Sequence, residues 1–342
     1  MNGSNVTRCG LIDDSLFVPR PRQRRIDGSA RTSHQAGRAR VKIAIRIDVD
    51  NLRPALVGVP RLADVLKANA AGASFLFNVG PDRSGRHTER FVHRGMPSYW
   101  WRTRSIRDYG FAAYFYGTLL PAPDVGAKAT TTIRNLHKAG FETGIRSYEQ
   151  LEWRMSATLR DAAWTERQMA RACSRYQDIV GEPARLHAAA GWQMSRHSYR
   201  LTQRLEFAYS SDTRGTHPFV PVYQAEVISC PQLPTTLPTM DELMATPGFP
   251  GTQIVPHLLS LTETDASWGH VFCANAAFEG LKLHDEFGQL LQGWRQQGHE
   301  IVSLRDYMLY FDTRELPYHE VVSGSIPGRP GIVAMQGKEF LS

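Results

Sequence analysis

The apolar run at 41–45 passes directly into Ile47, Asp48, Val49 and Asp50, and no other segment constrains the chain as much. The run reads as a buried strand, and two carboxylates at the C-terminal end of a buried strand rarely serve packing. Such a pair holds a cation, takes a proton or pairs with arginine. Which of these Asp48 and Asp50 do depends on the partners the rest of the chain supplies.

After residue 40 the pattern alternates. Strands are predicted at 41–49, 73–79, 141–145, 186–190, 207–211, 227–233, 270–274 and 301–304, and apolar residues recur at helical spacing over 60–71, 128–139, 161–179, 195–205, 240–244 and 281–297. Strands alternating with helices imply a mainly parallel sheet. About eight of them favour a barrel, whose chemistry gathers at the C-terminal strand ends. The chain of 342 residues is long enough for one domain of this kind. The Gly- and Pro-rich end, SGSIPGRPGIVAMQGKEF, reads as an ordered or partly ordered extension.

A net charge of +7 suggests nucleic acid until it is located. Residues 1–40 hold eight Arg, no Lys and three Asp, so most of the excess sits in one tail. A basic tail alone is weak evidence for such a partner, and none is expected. The tail reads as a disordered extension and lacks the apolar core of a secretory signal. Cys9, Cys173, Cys230 and Cys273 are far apart and form no C-x-x-C, which suits a reducing, cytoplasmic setting. No run approaches the ~18 apolar residues of a spanning helix. The stretch 96–120 combines Tyr99, Trp100, Trp101, Tyr109, Phe111, Tyr114, Phe115 and Tyr116 with Arg102, Arg104 and Arg107. That mixture suits a membrane interface or a lipid phosphate; an inserted hairpin packed on the barrel is the alternative.

RIDVD at 46–50, NVGPDRSGRH at 78–87, AAAGW at 188–192, YSSDTRG at 209–215, PTTLPT at 234–239 and FEG at 278–280 occur in an order and spacing that resemble the undecaprenyl-phosphate 4-formamido-arabinose deformylases, within the polysaccharide deacetylase superfamily. The resemblance covers roughly 41–335. It implies an α/β fold, a distorted (β/α) barrel of the polysaccharide deacetylase type, between a tail at 1–40 and a C-terminal tail at 336–342. It also implies metal-assisted hydrolysis of an amide on a sugar, with a divalent cation held by one Asp and two His, an Asp as base and a late His as acid. By resemblance Asp48 is the base and Asp50 the metal-side carboxylate; one residue between them leaves the roles interchangeable.

The departures are specific. The two metal histidines of the family fall at Arg146 and Gln150, and the late general-acid histidine falls at Asn275. Arginine presents no lone pair to a metal. Gln and Asn offer a carbonyl oxygen, which suits hard cations and is poor for zinc. No metal or other cofactor is therefore expected, although the family uses a divalent one. Arg146 is instead expected to form an ion pair with Asp48 or Asp50, through bonds a guanidinium makes well. An active site with an altered donor set, in which Asp50, Glu149, Gln150 or Asn275 holds a hard cation, is the alternative.

Other candidates each have a plain structural counterpart. Trp192 stacks on a sugar or fills the barrel mouth. Asp212 and Arg214 line a substrate groove or pair with each other. Gly80, Pro81, Gly85 and Arg86 form a phosphate-binding turn or an ordinary loop. His187, His217, His257, His270 and His284 show no ligand spacing and read as single surface or core histidines. The sequence thus leads to a deformylase/deacetylase-like protein with weak or absent hydrolysis. Its expected partner is a lipid-linked or phosphorylated amino sugar, and its setting the cytoplasmic side of the inner membrane, with contact through Tyr99, Trp100 and Trp101.

Overall fold

The computed structural model describes residues 41–86, 110–264 and 266–340. The tail at 1–40 and Tyr99, Trp100 and Trp101 lie outside them. Seven parallel strands form the main sheet: β1 (Lys42–Val49), β2 (Ser74–Asn78), β3 (Glu142–Ser147), β4 (Leu186–His187), β5 (Tyr209–Ser210), β8 (His270–Asn275) and β9 (Glu300–Val302). Their order is β5-β4-β3-β2-β1-β8, with β9 also on β1, so the sheet curls without closing into a ring. This is the distorted α/β barrel expected.

The strand period of two decides which residues face what. Ile43, Ile45, Ile47 and Val49 point outward and pack with Leu62, Leu66, Ile133 and Phe287 of the surrounding helices. Each such side chain contributes roughly 1.5–3 kcal/mol when fully buried. Ala44 points inward with Leu76, Leu186 and Val271. On this inner face Arg46 and Asp48 follow Ala44, so the strand turns polar as it climbs toward the mouth.

Two π-helical turns follow the strands that carry the site, Pro54–Gly58 after β1 and Phe278–Lys282 after β8. They touch backbone to backbone: a Cβ on Gly280 would lie 2.7 Å from the Gly58 Cα. The contact holds the ends of β1 and β8, and with them Asp50 and Asn275, side by side.

Two expectations need correction. The strand predicted at 227–233 is only the two-residue β7 (Glu226–Val227), antiparallel to β6 (Val220–Tyr223). Prolines at 231 and 234 remove ladder donors and leave the rest as isolated bridges. The Gly- and Pro-rich end forms an antiparallel hairpin, β10 (Tyr318–Gly324) and β11 (Val333–Glu339), in a four-stranded sheet of order β11-β10-β6-β7. The boundary drawn at 335/336 therefore cuts a strand. The backbone of Arg214 brackets β11, donating to Ala334 O at 2.9 Å and accepting from Gln336 N at 2.7 Å.

Candidate functional site

A small, partly open cleft lies at the C-terminal ends of the strands, lined among others by Asp48, Asp50, Arg146, Gln150, Trp192 and Asn275. Strand β1 raises Asp48 and Asp50 into it and β3 raises Arg146. Gln150 begins the helix Gln150–Ser156, which Glu149 caps by accepting from Glu152 N at 3.3 Å.

Asp48 is held from two sides. Arg46, fully buried, donates through Nε to Oδ1 at 2.7 Å and through Nη2 to Oδ2 at 3.1 Å. Arg146 approaches from the next strands, its Nη1 in tight contact with Asp48 Oδ2 and its Nε 3.0 Å from Asp50 Oδ1. Neither Arg146 contact has hydrogen-bond alignment, so the attraction is ionic. Asp50 also accepts from Asn78 at 2.9 Å and from Asn275 at 3.0 Å, and Cys273 Sγ lies 3.4 Å from Asp48 Oδ2. Two guanidiniums thus meet two carboxylates in a nearly dry site. Burial, then the neighbouring Arg46, pulls the Arg146 pKa well below its ordinary value; the two acids beside it favour the charged form, and an arginine side chain in a protein stays protonated.

A charged rim surrounds this centre. Arg214 holds Glu242 with bonds of 2.8 and 2.9 Å, and Arg329 reaches the same carboxylate at 2.8 Å and Asp241 at 3.6 Å. Glu242 is fixed first by a capping box with Thr239 at the start of the helix Met240–Ala245. Trp192 sits at the centre of these arginines, with the guanidiniums of Arg46, Arg214 and Arg329 at 5.2, 5.2 and 4.4 Å from its ring centre. It follows Gly191 in a left-handed turn (φ 68° and 53°), a conformation costly for a bulky residue and kept where surrounding structure imposes it.

These placements revise the substrate-binding assignments. Of Trp192, Asp212, Arg214 and Arg86, only Trp192 lines the cleft, and at 2% exposure beneath three arginines its ring offers little area to a sugar. Asp212 and Arg214 are not partners. Asp212 accepts from His187 Nδ1 at 2.8 Å and from Ala189 N at 2.7 Å, while Arg214 takes Glu242. Arg86 donates to Gly117 O at 2.8 Å. In its loop the backbone N–H groups of Asp82 and Gly85 go to Pro123 O and Tyr116 O, so this is an ordinary loop and not a phosphate turn. Glu149 is held by Arg83 at 2.6 Å, and burial lifts its pKa to about 7. The pattern missed Arg46, Arg154, Asp241, Cys273 and Arg329, all within the cleft or directly under it.

The fold and the site can now be set beside known proteins. No protein-family profile matches the chain. It is 29% identical over 295 residues to the probable 4-deoxy-4-formamido-L-arabinose-phosphoundecaprenol deformylase of Shewanella sediminis, covering 86% of this chain and 94% of that protein. It is 26% identical over 286 residues to the protein of the same description from Wigglesworthia glossinidia brevipalpis, covering 82% and 98%. A crystal structure assigned to the polysaccharide deacetylases, from Mycobacterium smegmatis, superposes with a TM-score of 0.57 at 13% identity over 86% of this chain and 99% of that one. The fold is that of the polysaccharide deacetylases, and the chain is a carbohydrate deformylase/deacetylase-like protein. Within that class its sequence is similar to formamido-arabinose deformylases along nearly their whole length.

The divalent cation that this resemblance implies does not fit the residues present. Every oxygen of Asp48 and Asp50 already faces a donor of the protein. Arg146 brings positive charge where a ligand would bring a lone pair. Among the described residues no three His, Cys, Asp or Glu side chains are grouped to hold a metal.

Proposed function

We propose that this chain binds a lipid-linked or phosphorylated amino sugar and that its metal-dependent hydrolysis is lost or severely reduced. The observation that carries the reading is Arg146 in contact with both Asp48 and Asp50. A guanidinium neutralises the acids, but it does not polarise a carbonyl as a Lewis acid or generate a hydroxide from bound water. Both oxygens of Asp48 accept from Arg46, and Oδ2 also faces Arg146 and Cys273, which weakens this carboxylate as a base toward a water molecule.

Binding is a different matter. Trp192 Nε1 is a buried N–H donor without a hydrogen-bond partner at the cleft, while Arg146 Nε and Nη1 face Asp50 and Asp48. Buried donors of this kind are rare and favour an acceptor-rich ligand such as a sugar phosphate. The relatives are described as deformylases of a phosphoundecaprenol-linked formamido-arabinose, which supports this ligand class. No helix among the described residues is long and apolar enough to cross a membrane. A lipid-linked ligand fits a peripheral protein at the cytoplasmic face of the inner membrane, and this is the setting proposed.

The test is a deformylase assay on a formylated amino-sugar phosphate, together with metal analysis of the purified chain. Expected are binding of the sugar phosphate and no robust turnover. Robust turnover, or stoichiometric zinc that is lost in Asp50→Asn, refutes the reading. The triple exchange Arg146→His, Gln150→His and Asn275→His restores metal binding if the rest of the cleft is intact.

A further inference from the structure

Two histidines outside the cleft converge in a way that the deformylase resemblance does not explain. His217 follows the SSDTRG turn and His319 lies in β10, and their Nε2 atoms are 3.1 Å apart. Their outer nitrogens are already committed. His319 Nδ1 is 3.0 Å from Gly337 O, which only accepts, so Nδ1 carries the proton and Nε2 the lone pair. For His217 the neighbouring Gln336 decides. Its Oε1 accepts from the backbone N–H of Thr216 at 2.8 Å and of His217 at 3.4 Å, which fixes the orientation of the amide. Its Nε2 then donates to His217 Nε2 at 3.2 Å, and the His217 proton sits on Nδ1, donated to Thr216 Oγ1 at 2.8 Å. Two lone pairs therefore face each other, an arrangement that is unfavourable unless a cation joins them.

We propose that His217 and His319 form a binding site for a borderline divalent transition metal such as Zn²⁺, coordinated through both Nε2 atoms and completed by water. Two nitrogens 3.1 Å apart, each about 2.05 Å from one ion, subtend about 98°, between the octahedral and tetrahedral angles. The outer N–H bonds to Thr216 Oγ1 and Gly337 O are of the kind that orient metal-bound imidazoles. Packing holds both rings: His217 stacks on Trp268 at 5.4 Å and His319 meets Phe219 edge-on at 5.7 Å. Thr216 is exposed and His217 half-buried, which gives the ion and its waters access. Glu339 stands opposite His319 in the β10–β11 register and adds a negative charge nearby. Paired imidazoles favour Cu²⁺, Ni²⁺ and Zn²⁺ over Mg²⁺ and Ca²⁺. The ion displaces one contact, the Gln336 donor at His217 Nε2.

The test is isothermal titration of the full chain with ZnCl₂ near neutral pH after chelator treatment, with MgCl₂ as the control. Expected is one Zn²⁺ per chain, weakened by roughly tenfold or more in either His217→Gln or His319→Gln, abolished in the double variant and unchanged in Asp50→Asn. Circular dichroism checks that each variant is folded, and if one is not, the other decides. A folded chain that binds no Zn²⁺ overturns the proposal, as does binding that survives the double variant. A pair that merely shares a proton gives the first of these results, with a histidine titration visible by NMR. Zinc lost only in Asp50→Asn overturns both this proposal and the reading of the cleft, whereas a folded chain that binds no Zn²⁺ overturns this proposal alone, so the two failures are distinguishable.

Discussion

The barrel mouth and the β10–β11 corner face the same electrostatic problem from opposite sides. At the mouth, two acids converge and the protein answers with its own cations, Arg46 from the same strand and Arg146 from β3. At the corner, two imidazole lone pairs converge and the partner is a neutral amide. A cation attached to the chain is permanent: its charge is always present, and so is its desolvation cost. A convergence of neutral donors is conditional, since it gains a partner only when an ion is in solution. The contrast teaches that a carboxylate pair at a strand end is not evidence for a metal until the facing residue on the neighbouring strands is known.

The largest expected effect breaks the first half of this comparison. Arg146→Met removes the guanidinium that faces both buried acids, Asp48 and Asp50. Breaking a buried pair from one side typically costs about 3–5 kcal/mol, to be read from urea denaturation. Adding Asp50→Asn should recover part of that loss, with a coupling of roughly 1–3 kcal/mol. A cost below about 1 kcal/mol would mean that the acids draw their positive charge from elsewhere, and a chelator-sensitive midpoint would identify that source as an ion.

Next in size is a pH effect at the edge of the same site. Glu279 is buried, accepts from Asn275 N at 2.7 Å, and burial lifts its pKa from 4.5 to about 8. The folded chain therefore keeps this proton where the unfolded chain has released it, so stability is greatest below pH 4.5 and is lost as pH rises toward 8. Between pH 4.5 and 7 the loss amounts to roughly 3 kcal/mol, at about 1.4 kcal/mol per unit. Glu279→Gln should flatten this slope and raise the melting temperature near pH 8. An unchanged slope would show that Glu279 is ionised and solvated in the folded chain.

How much of this could be read from the sequence follows from the range of the interactions. The parallel sheet was legible because its buried strands are continuous apolar runs, and local spacing carries that information. Arg146 on the aspartates was legible because one position relative to a known pattern decides it. Arg46 was legible and missed: Arg46, Asp48 and Asp50 alternate along β1, and a period of two places all three on one face. The partners of Asp212 and Arg214 were not legible. Glu242 lies 28 residues from Arg214 and His187 lies 25 residues from Asp212, and nothing local says which acid a given cation will meet. The hairpin at the chain end was read as an extension because its strand residues are diluted by Gly and Pro. Its order comes from Arg214 and β6, which are distant in sequence.

The smallest expected effects sharpen the other half of the comparison. Without metal, His319→Gln gives up one hydrogen bond, to Gly337 O, and relieves the facing lone pairs, so its cost should be about 1 kcal/mol or less. With Zn²⁺ at a hundred times its dissociation constant, the unmodified chain should gain about 2.7 kcal/mol and His319→Gln almost none. Thermal melts with and without the ion measure both. The pairing of results matters more than either value. A variant that is nearly silent in chelator and deaf to zinc separates a conditional site from a structural one. A substitution that costs several kcal/mol in chelator would instead make the corner resemble the barrel mouth, with its histidines serving the fold whether or not an ion is present.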